Sequence, residues 1–100
     1  MSVKTKTIII AEDHSIVRKG IVQILKEGFN HPLIDEVIDA ESLITLISKR
    51  AYNIAIIDIN LPGRSGLDAV KQIKDIKPEQ KTLVLSINAE EHYGIRALKA

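Results

Sequence analysis

Two short apolar runs, Ile8-Ile9-Ile10-Ala11 and Ile54-Ala55-Ile56-Ile57, each end on acid: Glu12-Asp13 after the first, Asp58 after the second. Runs this short, unbroken and rich in β-branched residues suit strands covered on both faces of a parallel sheet. Between them the period changes. From Ser15 to about Glu27, Ile16, Val17, Gly20, Ile21, Ile24 and Leu25 make one face of a helix, with Gly28 as a stop. Leu33 to Asp39 predicts a weaker strand, and Leu43, Ile44, Leu46 and Ile47 predict a helix from about Glu41 to Arg50. Ile54–Asp58 is the third strand. The turn-rich Leu61–Gly66 follows, and Ser65 and Asp68 at capping-box spacing open a helix from about Leu67 to Ile76, which ends before Pro78. Thr82–Ser86 is a fourth strand, and Asn88 with Glu91 opens a last helix still running at Ala100. This alternation predicts βαβ units with right-handed crossovers and a parallel sheet.

Parallel neighbours place Glu12, Asp13 and Asp58 at one edge, where the carboxyl ends of strands form a ligand crevice. Three clustered anions repel unless a cation sits among them, and an all-oxygen site favours a hard ion such as Mg²⁺. The pattern points to phosphoryl chemistry at an aspartate. Glu12-Asp13 alone also fits ordinary helix-start chemistry, because acids are favoured near a helix N-terminus. Asp58 is harder to explain that way, since it closes a buried strand and a loop follows it. Ser86 ends the fourth strand at the same edge, where its hydroxyl can donate to a phosphoryl oxygen or bond the local backbone. His14, His31 and His92 show no metal spacing; His14 reads as a rim residue of the site, the other two as surface residues. Gly63 and Gly66 lack the surroundings of a phosphate-cradling loop. Lys71, Lys74 and Lys77 read as a solvated helix face.

Composition narrows the class. The 100 residues suffice for one small domain, with 14 Lys+Arg against 13 Asp+Glu and a net charge of +1. That balance gives no support to non-specific nucleic-acid binding. With no Cys, disulfides and thiolate metal sites are excluded. No run approaches the roughly 18–20 apolar residues of a membrane span. The expectation is a soluble cytoplasmic domain, with no membrane partner.

Ala11-Glu12-Asp13-His14 entering Val17-Arg18-Lys19-Gly20 is similar to the start of response-regulator receiver domains. Asp58-Ile59-Asn60-Leu61-Pro62-Gly63-Arg64-Ser65-Gly66-Leu67-Asp68 resembles their phosphoacceptor segment. Leu83-Val84-Leu85-Ser86 and Arg96-Ala97-Leu98-Lys99-Ala100 look like the NarL/FixJ subclass of two-component transcription regulators. The resemblance implies an α/β, flavodoxin-like (CheY-like) three-layer sandwich with parallel sheet order 2-1-3-4(-5). It also implies Asp58 as phosphoacceptor, and Mg²⁺ at Glu12, Asp13, Asp58 and the Asn60 backbone carbonyl. Ser86 then meets the phosphoryl group and shifts on activation. A sensor histidine kinase is the implied donor, and a receiver–receiver homodimer is a further partner. The domain switches a transcription output and is not a turnover enzyme.

The family also has a fifth strand carrying a Lys, an aromatic switch residue and a fifth helix. Residues 1–100 therefore read as a receiver incomplete at its C-terminus, with the DNA-binding output domain absent. On that reading Thr82–Ser86 is a bare sheet edge, and Ile16, Val17 and Ile24 of the first helix lose cover. The alternatives are a binding-only receiver and, behind it, a haloacid-dehalogenase-like phosphatase or a nucleic-acid-cleaving Toprim-like domain. Both of the latter need an acid where Asn60 stands, and an amide cannot titrate.

Overall fold

Parallel pairing of the two apolar runs organises the chain. A computed structural model describes residues 5–88 and 94–99. In chain order the elements are β1 (Thr7–Ala11), α1 (Ser15–Gly28), β2 (Leu33–Val37), α2 (Ala40–Lys49), β3 (Ile54–Asp58), α3 (Gly66–Ile76), β4 (Thr82–Asn88) and β5 (Gly94–Lys99). They form one sheet of order β2-β1-β3-β4-β5, the first four strands parallel. Ala11 lies opposite both Val37 and Ile57, and Asp58 opposite Leu85, so β1, β2 and β3 end together at one edge and β4 runs past it to Asn88.

Strand alternation divides the core into two layers. Ile9, Ala11, Ala55, Ile57 and Val84 pack with Leu43, Ile44 and Ile47 of α2 and Ala69, Val70 and Ile73 of α3. Ile8, Ile10, Ile56 and Leu85 face the other way, against Ile21, Val17, Val22 and Leu25 of α1. The result is the expected three-layer sandwich, and the parallel order 2-1-3-4 holds. Among the described residues α1 is the one helix on the second face, with Ile16 84% and Ile24 66% exposed and Val17 packed.

Local chemistry sets the element ends. Asp39 caps α2 by accepting from Ser42 N at 2.7 Å, and Ser65 caps α3 by accepting from Leu67 N at 3.1 Å. After α1 the left-handed residue is His31 (φ 49°), not Gly28, which is the last helical residue. Lys77, expected on a solvated face, instead donates through Nζ to the Ile47 and Arg50 carbonyls at 2.7 and 2.8 Å. It thereby satisfies orphan acceptors at the C-terminus of α2. Tyr52 is buried beside β2, its hydroxyl donating to Asp35 Oδ2 at 2.5 Å.

The expected last helix is overturned over residues 94–99. Gly94–Lys99 is a strand antiparallel to β4, in register from Leu83–Lys99 to Asn88–Gly94. Asn88, the expected helix start, lies within β4, and Glu91 and His92 lie outside the described residues. The physical reason is the edge itself: β4 offers a row of free backbone donors and acceptors, and pairing them outweighs a modest helix preference in a segment that begins with Gly. The expected bare edge at Thr82–Ser86 is thus covered. No parallel fifth strand and no fifth helix occur among the described residues.

Two expectations follow. Burial, reinforced by the bond to Asp35, pushes the Tyr52 phenol up to about 12. The folded chain then holds this proton more tightly than the unfolded one, so its contribution is complete below about pH 10 and is lost as pH rises towards 12. Denaturant midpoints across that window should fall more steeply for the native chain than for Tyr52→Phe. Two of the helical glycines, Gly20 and Gly66, should respond oppositely to Ala. A Cβ on Gly20 meets nothing within 4 Å, so Gly20→Ala should stabilise by about 0.5–1 kcal/mol. A Cβ on Gly66 would lie 2.2 Å from the Asp58 carbonyl oxygen, so Gly66→Ala should destabilise by about 1–3 kcal/mol. Urea titrations of both variants check the pair.

Candidate functional site

The matched strand ends bring the acids together. Asp58 is the last residue of β3, and Glu12 follows β1 directly, its amide held by the Val37 carbonyl at 3.0 Å. Both carboxylates are buried, Glu12 1% and Asp58 2% exposed. Asp13 and His14 sit at the rim. Glu12, Asp13, His14 and Asp58 each offer one ligand-type atom, all within 4.8 Å of one another.

Each buried carboxylate has one satisfied and one unsatisfied oxygen. Glu12 Oε2 accepts from the His14 amide at 2.9 Å and faces His14 Nδ1 at 2.8 Å. Asp58 Oδ1 accepts from the Asn60 amide at 3.0 Å. Glu12 Oε1 and Asp58 Oδ2 are fully buried with no hydrogen-bond partner. Buried polar atoms without partners are uncommon and costly, more so when charged. Burial pushes the Glu12 carboxyl up and the Asp58 charge adds to the rise, while the two bonds from His14 oppose it. The Glu12 bond, with the charges of Asp13 and Glu12, pushes the His14 imidazole up. These groups fit a hard divalent cation: the orphaned oxygens are carboxylate donors, and their mutual repulsion is what a cation removes.

The loop after Asp58 is held closely. Leu61 is buried, Gly63 takes φ 80°, and the Gly66 amide donates to the Ile59 carbonyl at 2.8 Å. Gly66 passes so near the Asp58 carbonyl that only hydrogen fits at its Cα. Arg64 Nη1 pairs with Glu41 Oε1 at 3.3 Å, joining the loop to the start of α2. Asn60 is exposed in the turn, and its amide is what orients Asp58. Ser86 is half-buried on β4, one residue beyond the Leu85 that pairs with Asp58. It therefore lies at the same edge of the sheet.

Two contributors were not legible as such in the sequence. His14 does more than stand at the rim: its amide and ring both engage Glu12. Arg18 donates to the Glu12 carbonyl at 2.8 Å and to Glu36 Oε1 at 3.0 Å, fastening the β1–α1 turn to β2. Its position one helical turn beyond His14 is the only signal, and that position also suits an ordinary surface arginine.

The family model of the response regulator receiver domain matches residues 8–100. The transcriptional regulatory protein DegU of Brevibacillus brevis is 32% identical over 92 residues, 92% of this chain and 39% of that protein. The response regulator protein TrrA of Thermotoga maritima, solved in complex with Mg²⁺-BeF, superposes with a TM-score of 0.77 at 26% identity, covering 85% of this chain and 72% of that one. RcsB of Salmonella enterica serovar Typhimurium, solved bound to a promoter in the presence of phosphomimetic BeF₃⁻, gives a TM-score of 0.74 at 31% identity, covering 85% and 43%. The chain thus spans well under half the length of DegU and RcsB.

The orphaned oxygens generate a stability prediction. In metal-free buffer Asp58→Asn should stabilise the fold by about 1–3 kcal/mol, because an amide removes one buried charge and supplies a donor for Glu12 Oε1. Urea denaturation in the presence of a chelator measures it. Destabilisation by Asn would mean that Asp58 Oδ2 is already compensated.

Proposed function

This chain belongs to the response-regulator receiver family, and from that premise we propose that Asp58 accepts a phosphoryl group from the phosphohistidine of a sensor histidine kinase. The observation that carries the proposal is the pair of buried, unpartnered carboxylate oxygens, Asp58 Oδ2 and Glu12 Oε1. A pocket used only to bind another protein has no need of two uncompensated buried charges. Glu12, Asp13, Asp58 and the Asn60 carbonyl would hold Mg²⁺, which supplies neutralisation of charge on the transferring oxygens.

The protein's own groups do the rest. The Asn60 amide fixes Asp58 Oδ1 and leaves Oδ2 free as nucleophile. Oδ2 forms the new bond to phosphorus while the P–N bond breaks, the bonding pair leaving with the imidazole of the kinase. Ser86, at the same edge, donates its hydroxyl to a phosphoryl oxygen and shifts when the group is present. Each event modifies the acceptor itself, so the domain is a switch and not a turnover enzyme. DegU's name and the RcsB promoter complex support a transcription output; this reading gives DNA binding to an output domain and lets receivers pair as homodimers. A cytoplasmic setting suits a kinase-fed switch; no described helix is long and apolar enough to cross a membrane.

Incubation with a small-molecule phosphodonor and Mg²⁺ should give a single base-labile adduct that peptide mass spectrometry maps to Asp58. Chelation of Mg²⁺ should slow the labelling by tenfold or more, and Ser86→Ala should reduce it less. Labelling that persists in Asp58→Asn would refute the assignment.

A further inference from the structure

We propose that His14 is a direct ligand for the late first-row ions Ni²⁺, Cu²⁺ and Zn²⁺, through Nδ1, beside the three carboxylates of the acidic pocket. This rests on the reading of that pocket as a cation site and adds a nitrogen to it. His14 Nδ1 lies 2.8 Å from Glu12 Oε2 and 3.3 Å from Asp13 Oδ1. Neighbouring ligands on an octahedral ion with bonds of about 2.1 Å stand about 3.0 Å apart. Nδ1 therefore already has the spacing of a ligand beside two carboxylates. The spread of 4.8 Å across all four groups slightly exceeds the roughly 4.2 Å between opposite ligands. Closing that gap takes a movement of about half an ångström, which the rim residues Asp13 and His14 can supply.

Two further observations support a ligand role. The pocket holds two buried carboxylate oxygens without partners, so the fold presents donors that nothing in the chain uses. His14 can also leave its present partner at little loss. Its side chain is 61% exposed, and Glu12 Oε2 keeps the bond from the His14 amide at 2.9 Å when Nδ1, staying in place, exchanges its hydrogen for an ion. Ligand softness then sets the selectivity. Imidazole suits Ni²⁺, Cu²⁺ and Zn²⁺, whereas Mg²⁺ prefers oxygen, so His14 strengthens the first group far more than Mg²⁺. A transition ion held this way would compete with Mg²⁺ for the same carboxylates.

Calorimetric titration of this chain with Ni²⁺ and, separately, with Mg²⁺ tests the proposal. His14→Asn and His14→Gln should each lose at least tenfold more affinity for Ni²⁺ than for Mg²⁺, and paramagnetic broadening by Ni²⁺ should centre on the amides of residues 12–14 and 58–60. His31→Asn should leave both affinities alone, since His31 lies in the turn before β2, at the opposite edge of the sheet. Equal losses for the two ions would overturn the proposal, leaving His14 as a prop for Glu12. Broadening centred on His31 or His92 would overturn it as well. Failure of Mg²⁺ to bind while Ni²⁺ binding still depends on His14 would support the nitrogen ligand and refute the Mg²⁺ reading of the pocket.

Discussion

Two buried carboxylates of like sign, at the ends of adjacent parallel strands, are the constraint on which the site depends. Glu12 and Asp58 could each be neutralised by a neighbour or turned to solvent, as most acids are. Instead the β1–β3 register, Ala11 opposite Ile57, sets them side by side at the sheet edge. Each keeps one oxygen satisfied by a backbone amide two residues onward, from His14 and Asn60, and one oxygen bare. The repeated geometry, one oxygen fixed and one presented, leaves the edge with negative charge that a cation would balance, and on it the proposed phosphoryl chemistry rests.

The scaffold holds that arrangement from both sides. Below it, an aliphatic core of Ile8, Ile9, Ile10, Ile56 and Ile57 fixes the strands against α1 on one face and α2 and α3 on the other. Close packing of this kind is stiff, so the strand ends cannot drift apart to relieve the repulsion. At the edge, Arg18 ties the turn after Glu12 to β2, and Gly66 lets the loop after Asp58 fold back onto its own strand end. The unfavourable electrostatics are sustained by stability generated elsewhere, as expected where function requires a strained or uncompensated site.

Much of this was legible in the residue order. Unbroken β-branched runs marked β1 and β3, apolar helical spacing marked α1 and α2, the capping-box pair Ser65 and Asp68 marked α3, and acids at the run ends marked the site. What escaped detection depends on contacts distant in sequence. Lys77 has the spacing of a solvated helix face, yet it reaches carbonyls 27 and 30 residues away. The segment 94–99 has no strong strand pattern and becomes β5 because β4 offers it an edge. Gly66 could be placed in a turn, but the reason it must lack a Cβ is its approach to Asp58, which only the folded chain shows. The role of His14 is hidden in the sequence because a single histidine without metal spacing carries no signal until Glu12 stands against it.

The central claim is that the uncompensated charge on Glu12 and Asp58 is poised for a cation. Thermal unfolding followed across a series of Mg²⁺ concentrations tests it directly, since an ion that binds only the folded chain must raise its stability with concentration. The account predicts a Tm that climbs with Mg²⁺ in the native chain and stays nearly flat in Glu12→Gln and Asp58→Asn. A native Tm indifferent to Mg²⁺, or an equal rise in all three proteins, would contradict it.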